Sequence, residues 1–122
     1  MKKQLSFLIF IALALLAFQI VHGAAANSFT GIWETVSSTG NRFTMQLKES
    51  NNTVRGTYSP ENGTIDGIVK GNALNFNWSQ AGGYTGTGTF TRSSDGNSFS
   101  GVWFNISGGS GQTQGTWTGR RK

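Results

Sequence analysis

The 122-residue chain has no cysteine, one histidine and one proline, and only 12% of its residues are charged. Without cysteine there is neither a disulfide nor a thiolate metal site, so a domain this small must be held by its core alone. The single histidine is His22, near the N-terminus. Beyond it the chain lacks the commonest general base and the commonest metal ligand. Five carboxylates remain: Glu34, Glu49, Glu61, Asp66 and Asp95. Glycoside hydrolysis needs two facing each other across a cleft, whereas Glu61 and Asp95 fall in turns, Glu49 ends a strand, and Glu34 and Asp66 have outward parity. The expectation is a protein that is not an enzyme, with no catalytic residue, metal or cofactor. Nucleic acid is not an expected partner either, because the basic residues cluster only at Arg120-Arg121-Lys122 and form no basic stripe.

One long apolar run is present, Leu5 to Val21, preceded by Lys2-Lys3 and followed by Gly23-Ala24-Ala25-Ala26. This is the layout of a secretory signal peptide over residues 1–26. A retained anchor is the competing reading, since the run is only slightly shorter than the roughly 20 residues of a spanning helix. Cleavage before Asn27 leaves residues 27–122 as a single domain, secreted or periplasmic and free of the membrane. That part carries eight Lys/Arg against five Asp/Glu, a net +3 where the whole chain has +5.

What the chain has in abundance is glycine, 18 residues, much of it two positions before a bulky side chain. Gly31-Ile32-Trp33 recurs as Gly56-Thr57-Tyr58, Gly67-Ile68-Val69, Gly88-Thr89-Phe90, Gly101-Val102-Trp103 and Gly115-Thr116-Trp117. Residues two apart on a strand share a face, so each copy sets a hole beside a large side chain. No apolar spacing of three and four persists after Asn27, which argues against helix. Instead, alternating segments separated by Gly, Asn and Ser turns predict eight strands: 29–36, 42–49, 53–58, 64–70, 73–80, 84–92, 98–106 and 112–121. The connections suit hairpins between neighbours, so the fold class is all-β, a single eight-stranded antiparallel up-and-down barrel or meander; closure removes the two exposed edges. A two-sheet sandwich is the alternative.

With its first and last strands in view, the chain resembles the calycins, the up-and-down barrels that include lipocalins, fatty-acid-binding proteins and avidins. That resemblance implies a Gly-x-Trp on the first strand, here Gly31-Ile32-Trp33, and an arginine near the end of the last strand packed over the indole. Arg121 has the inward parity for this role, with Arg120 the alternative, and the cation–π pair is worth about 0.5–2 kcal/mol. The opening hairpin is most similar to avidins, in which the tyrosine matching Tyr58 of Gly56-Thr57-Tyr58 contacts ligand. Thr35 and Ser37 or Ser38 stand where avidins carry a polar residue and a serine-bearing loop. The closing strand has Arg120 and Arg121 in place of the avidin aspartate, so the biotin-site pattern is not matched.

Inward parity falls to Trp33, Tyr58, Phe76, Trp78, Phe90, Trp103 and Trp117. These rings either plug the barrel or line a ligand cavity. For a cavity, the expected ligand-binding residues are Tyr58, Trp78 and Trp103, which offer a hydroxyl, indole donors and stacking surface. The function expected is an exported, non-enzymatic binding protein taking a small apolar or sugar-like ligand at the barrel mouth. The alternative is a protein-interaction module, oligomeric or protease-inhibitor-like, that uses loops or an outer patch. Ile32, Val102, Phe104 and Ile106 have outward parity on strands that closure makes neighbours, and they are the expected route to a homo-oligomer.

Overall fold

The computed structural model describes residues 27–108 and 111–122. The expected signal peptide at 1–26 and two residues of the glycine-rich loop lie outside the described residues. Among these there are eight strands: β1 (Gly31–Ser37), β2 (Arg42–Ser50), β3 (Thr53–Ser59), β4 (Gly63–Lys70), β5 (Ala73–Gln80), β6 (Tyr84–Arg92), β7 (Ser98–Asn105) and β8 (Gln114–Arg121). Each pairs antiparallel with its neighbour in sequence, and β8 returns to pair with β1, closing the barrel. The strand limits fall within two residues of those expected. β1 starts at Gly31 rather than Phe29, whose amide is taken by the Glu49 side chain at 2.9 Å.

The turns follow from local chemistry. Asn51 and Asn52 both adopt positive φ, 52° and 62°, the left-handed pair that a two-residue hairpin needs and asparagine tolerates. Alternation then sorts the faces. In β2, Phe43, Met45 and Leu47 are buried while Arg42, Thr44, Gln46 and Lys48 face solvent.

The glycine pattern has a cross-strand cause. Phe99 pairs with Gly119, Trp103 with Gly115, Trp78 with Gly86 and Phe76 with Gly88. In each pair the ring lies where a Cβ on the glycine would fall. At these four positions the missing side chain leaves room for the ring over a bare backbone, whereas other pairs, such as Trp33 with Met45 and Leu74 with Phe90, bury two large side chains together.

Odd-numbered strands run towards one end of the barrel and even-numbered strands away from it. At the end where β1 begins, Phe29, Trp33 and Phe90 are fully buried, and Phe90 stacks on Phe99 at 4.1 Å. Arg121, not Arg120, covers this end, its Cζ 4.3 Å from the Trp33 ring centroid. Its guanidinium donates to the carbonyls of Ser28 (2.8 Å), Gly96 (2.9 and 3.1 Å) and Thr30. Gly31 sits opposite at φ 147°, and a Cβ there would collide with the guanidinium. This end is sealed.

Candidate functional site

The β1–β2, β3–β4, β5–β6 and β7–β8 connections all lie at the other end, and there the barrel is hollow. A cavity of about 260 Å³ opens between them. Sequence reasoning left a filled and a hollow interior as alternatives, and each holds at one end of the barrel.

The cavity is built in three levels. Deepest is Trp117, which meets Phe90 edge-on at 5.4 Å and Tyr58 at 5.3 Å. Its indole Nε1 donates to Thr35 Oγ1 (3.0 Å), and that hydroxyl donates to the Phe43 carbonyl (3.1 Å). Thr35 is buried, and this relay satisfies it. Above stand Trp78 and Trp103, perpendicular, with ring centroids 6.3 Å apart. The rim is polar. The β1–β2 end contributes Ser37, Thr39 and Asn41, the β5–β6 end Gln80 and Tyr84, and the β7–β8 end Asn105 and Gln112.

Among the described residues, none of the side chains around the cavity belongs to Asp, Glu, Lys, Arg or His. Of its two phenols, on Tyr58 and Tyr84, only that of Tyr58 is buried. Burial, followed by the negative charge of Glu61, pushes that phenol well above its ordinary value of 10.0, so it stays neutral. Tyr58 Oη donates to Gln80 Oε1 at 2.7 Å, which fixes the Gln80 amide with both N–H groups free to donate elsewhere. Trp78 Nε1 donates to the Thr87 carbonyl at 3.2 Å. Trp103 Nε1 is buried and has no partner among the described residues. A buried donor left unpaired costs about 1–3 kcal/mol.

All three residues expected from sequence, Tyr58, Trp78 and Trp103, line this one cavity. The polar rim was missed, apart from Ser37, which the avidin-like reading had singled out. A signal existed: Ser37, Gln80 and Asn105 are polar residues at inward parity, each at the last position of an odd-numbered strand. All odd strands end at one place, so their polar termini had to meet.

The outer apolar residues divide. Val102, Phe104 and Ile106 follow one another along β7 and just beyond it, all exposed. Ile32 is elsewhere: Val102 pairs with Thr116, whereas Ile32 lies level with Lys122, which donates its amide to the Ile32 carbonyl. At about 3.3 Å per residue, that is roughly 20 Å away along β8.

The molecule is thus a closed up-and-down β-barrel with one sealed end and one neutral, aromatic-walled cup. No family model matches the chain, and no curated protein matches it.

Proposed function

We propose that the protein is an exported binding protein that holds a small neutral ligand in the open end of its barrel and leaves it chemically unchanged. The observation that carries this reading is the composition of the cup. Indole faces at Trp78 and Trp103 stand beside amides and hydroxyls at Gln80, Asn41, Asn105 and Ser37, with no ionic side chain among the lining. Aromatic faces offer stacking area to a ring with one apolar side, and neutral amides hydrogen-bond to its polar edge. An ionic ligand would lose its hydration without gaining a counter-charge. About 260 Å³ lies just below the roughly 300–1,000 Å³ typical of ligand pockets, which suits a single sugar-sized ring. Export rests on the 1–26 layout, and the lack of catalysis on a lining without carboxylate, imidazole or thiol.

Titration of tryptophan fluorescence with a panel of neutral mono- and disaccharides, beside short aliphatic alcohols, tests the reading. A saturable change with a sugar, lost in Trp78→Ala, is expected. No saturable change with any sugar at millimolar concentration, or a change with alcohols alone, counts against it.

A further inference from the structure

We propose that the sealed end of the barrel is a docking surface for an anionic phospholipid bilayer, seated so that the cup at the opposite end faces away from the membrane. Along the chain the basic residues cluster only at 120–122, and the sequence alone implies a domain free of the membrane. Closure changes the count. Odd-numbered strands begin and even-numbered strands end at the sealed end, so Lys48, Arg55, Lys70 and Arg92, each within two residues of a strand terminus there, join the basic tail. Seven of the eight cations that follow Asn27 thus lie at one end of the barrel, and Arg42 is at the other.

Carboxylates do not match these cations. Glu49 and Asp95 are the two acids at this end, and both are engaged locally: Glu49 accepts from the Phe29 amide at 2.9 Å, and Asp95 from Ser93 Oγ at 2.6 Å and the Asn97 amide at 2.9 Å. Among the described residues the ion pairs are Arg55 with Asp66 at 3.9 Å and Lys122 with Glu34 at 3.6 Å, all four side chains being exposed. Lys48, Lys70 and Arg120 are exposed and have no carboxylate partner among those residues. Lys48 also stands directly opposite Arg55 in the β2–β3 register. Like charges so placed cost stability, and a bound anion relieves the cost.

A lipid surface is the partner that fits, because the same end also exposes aliphatic side chains. Ile68 on β4 is 60% exposed and Ile32 on β1 44%. Lys48 and Arg55 line a shallow groove on the outer wall together with Thr30 and Ile32, which sets a paired cation beside an apolar edge. Cations drawn to lipid phosphates and aliphatic groups that enter the acyl boundary are the two signals that hold a protein at a bilayer surface. A nucleic acid or a free anion uses the charge and leaves the isoleucines in water. The order of the chain agrees. It enters the barrel at this end through Ser28 and Thr30, whose carbonyls Arg121 takes, and the apolar run ending at Val21 lies six residues before Asn27, a reach of at most about 20 Å. With that run engaged in export, the sealed end is the one held nearest the membrane.

All eight strands and the buried core lie within residues 27–122, so this segment is the one to test, with near-ultraviolet circular dichroism to show that each variant is folded. The measurement is co-sedimentation with vesicles of phosphatidylcholine, with and without about one-third phosphatidylglycerol as the anionic lipid. Binding to the anionic vesicles is expected at about 0.1 M salt, and at least tenfold weaker binding at about 1 M, where the Debye length falls from about 10 Å to about 3 Å. Neutral vesicles should bind at least tenfold more weakly as well. The double variant Lys48→Gln/Lys70→Gln is expected to lose at least tenfold. Arg42→Glu changes the net charge by the same amount at the open end and should stay within about twofold of wild type. Ile68→Ser should weaken binding about threefold. The proposal is overturned by equal binding to both kinds of vesicle, by a double variant that binds like wild type, by an equal loss from Arg42→Glu, or by Ile68→Ser binding unchanged. Retention on heparin without binding to anionic vesicles assigns the charge to a soluble polyanion and overturns it too.

Discussion

At the sealed end of the barrel, Trp33, Phe90 and Phe99 fill the cross-section and Arg121 ties the cap to three backbone carbonyls. At the open end, Trp78 and Trp103 stand beside a cavity of about 260 Å³ under a rim of amides and hydroxyls. The strands, their alternation and the glycine-under-ring pairing are shared by both ends. The difference lies in which side chains occupy inward positions at strand termini. At the sealed end Val54, Val69, Leu74, Phe90 and Phe99 interlock beneath Arg121 and exclude water, whereas Ser37, Gln80 and Asn105 are too polar to be buried without partners and hold a space open. One barrel thus separates the part that stabilises it from the part available to a ligand.

Substitutions at the two ends should differ in what they damage. The largest effect is expected from Phe90→Ala, which leaves a void in the stacked sealed end; a loss of about 3–5 kcal/mol is measurable by urea unfolding. Removing the cap is next. Arg121→Ala forfeits charge-assisted bonds to three carbonyls and the contact over Trp33, and a loss of about 2–3 kcal/mol is expected, with Arg121→Lys recovering only part because an ammonium lacks the planar fork. Arg121→Ala, where still folded, should not alter the fluorescence response to ligand by more than about twofold, within the additivity expected of distant sites; Phe90 touches Trp117, the floor of the cup, and is not such a site.

At the open end the order reverses. Trp78→Ala should destabilise less than Phe90→Ala, because its ring already borders empty space, yet reduce ligand affinity about tenfold or more, the ~1.4 kcal/mol of one lost stacking contact. If instead the two variants unfold at the same urea concentration, the contrast between the ends fails. Trp103→Phe removes the unpaired indole N–H and should be close to neutral for stability. A small effect is also expected from Tyr58→Phe at neutral pH, about 0.5–1.5 kcal/mol for the bond to Gln80. Its signature is in alkali. The Tyr58 phenol is raised in the folded state, so its contribution is complete below the ordinary value of 10.0 and declines as pH rises above it. Wild-type stability should therefore fall above pH 10 more steeply than that of Tyr58→Phe.

Most of the fold was legible along the chain. Parity placed Phe43, Met45 and Leu47 inward, and Asn51-Asn52 gave a hairpin turn, because both depend on residues within a few positions of one another. The resemblance to calycins pointed to an arginine over Trp33, and inward parity favoured Arg121 over Arg120, although 88 positions separate Arg121 from Trp33. The cup was legible only in part. Tyr58, Trp78 and Trp103 stood out as inward aromatics with polar atoms. The rim did not, because Asn41, Thr39 and Gln112 sit in connections whose side-chain directions alternation does not govern. Ile32 shared outward parity with Val102 and Phe104 but was carried away from them by the register of β1 on β8.

By itself, the sequence determined the strands, their faces and the spacing of glycine two positions before a bulky side chain, since backbone alternation is a local property; which ring lies over which glycine was set by register. The tertiary structure decided which end of the barrel is closed. Closure sets the stagger between strands, and only the stagger determines whether inward residues far apart in sequence meet as a packed layer or around a hollow. Gly31-Ile32-Trp33 came to lie beneath Arg121 at the sealed end, and the matching Gly101-Val102-Trp103 placed its tryptophan in the cup at the other.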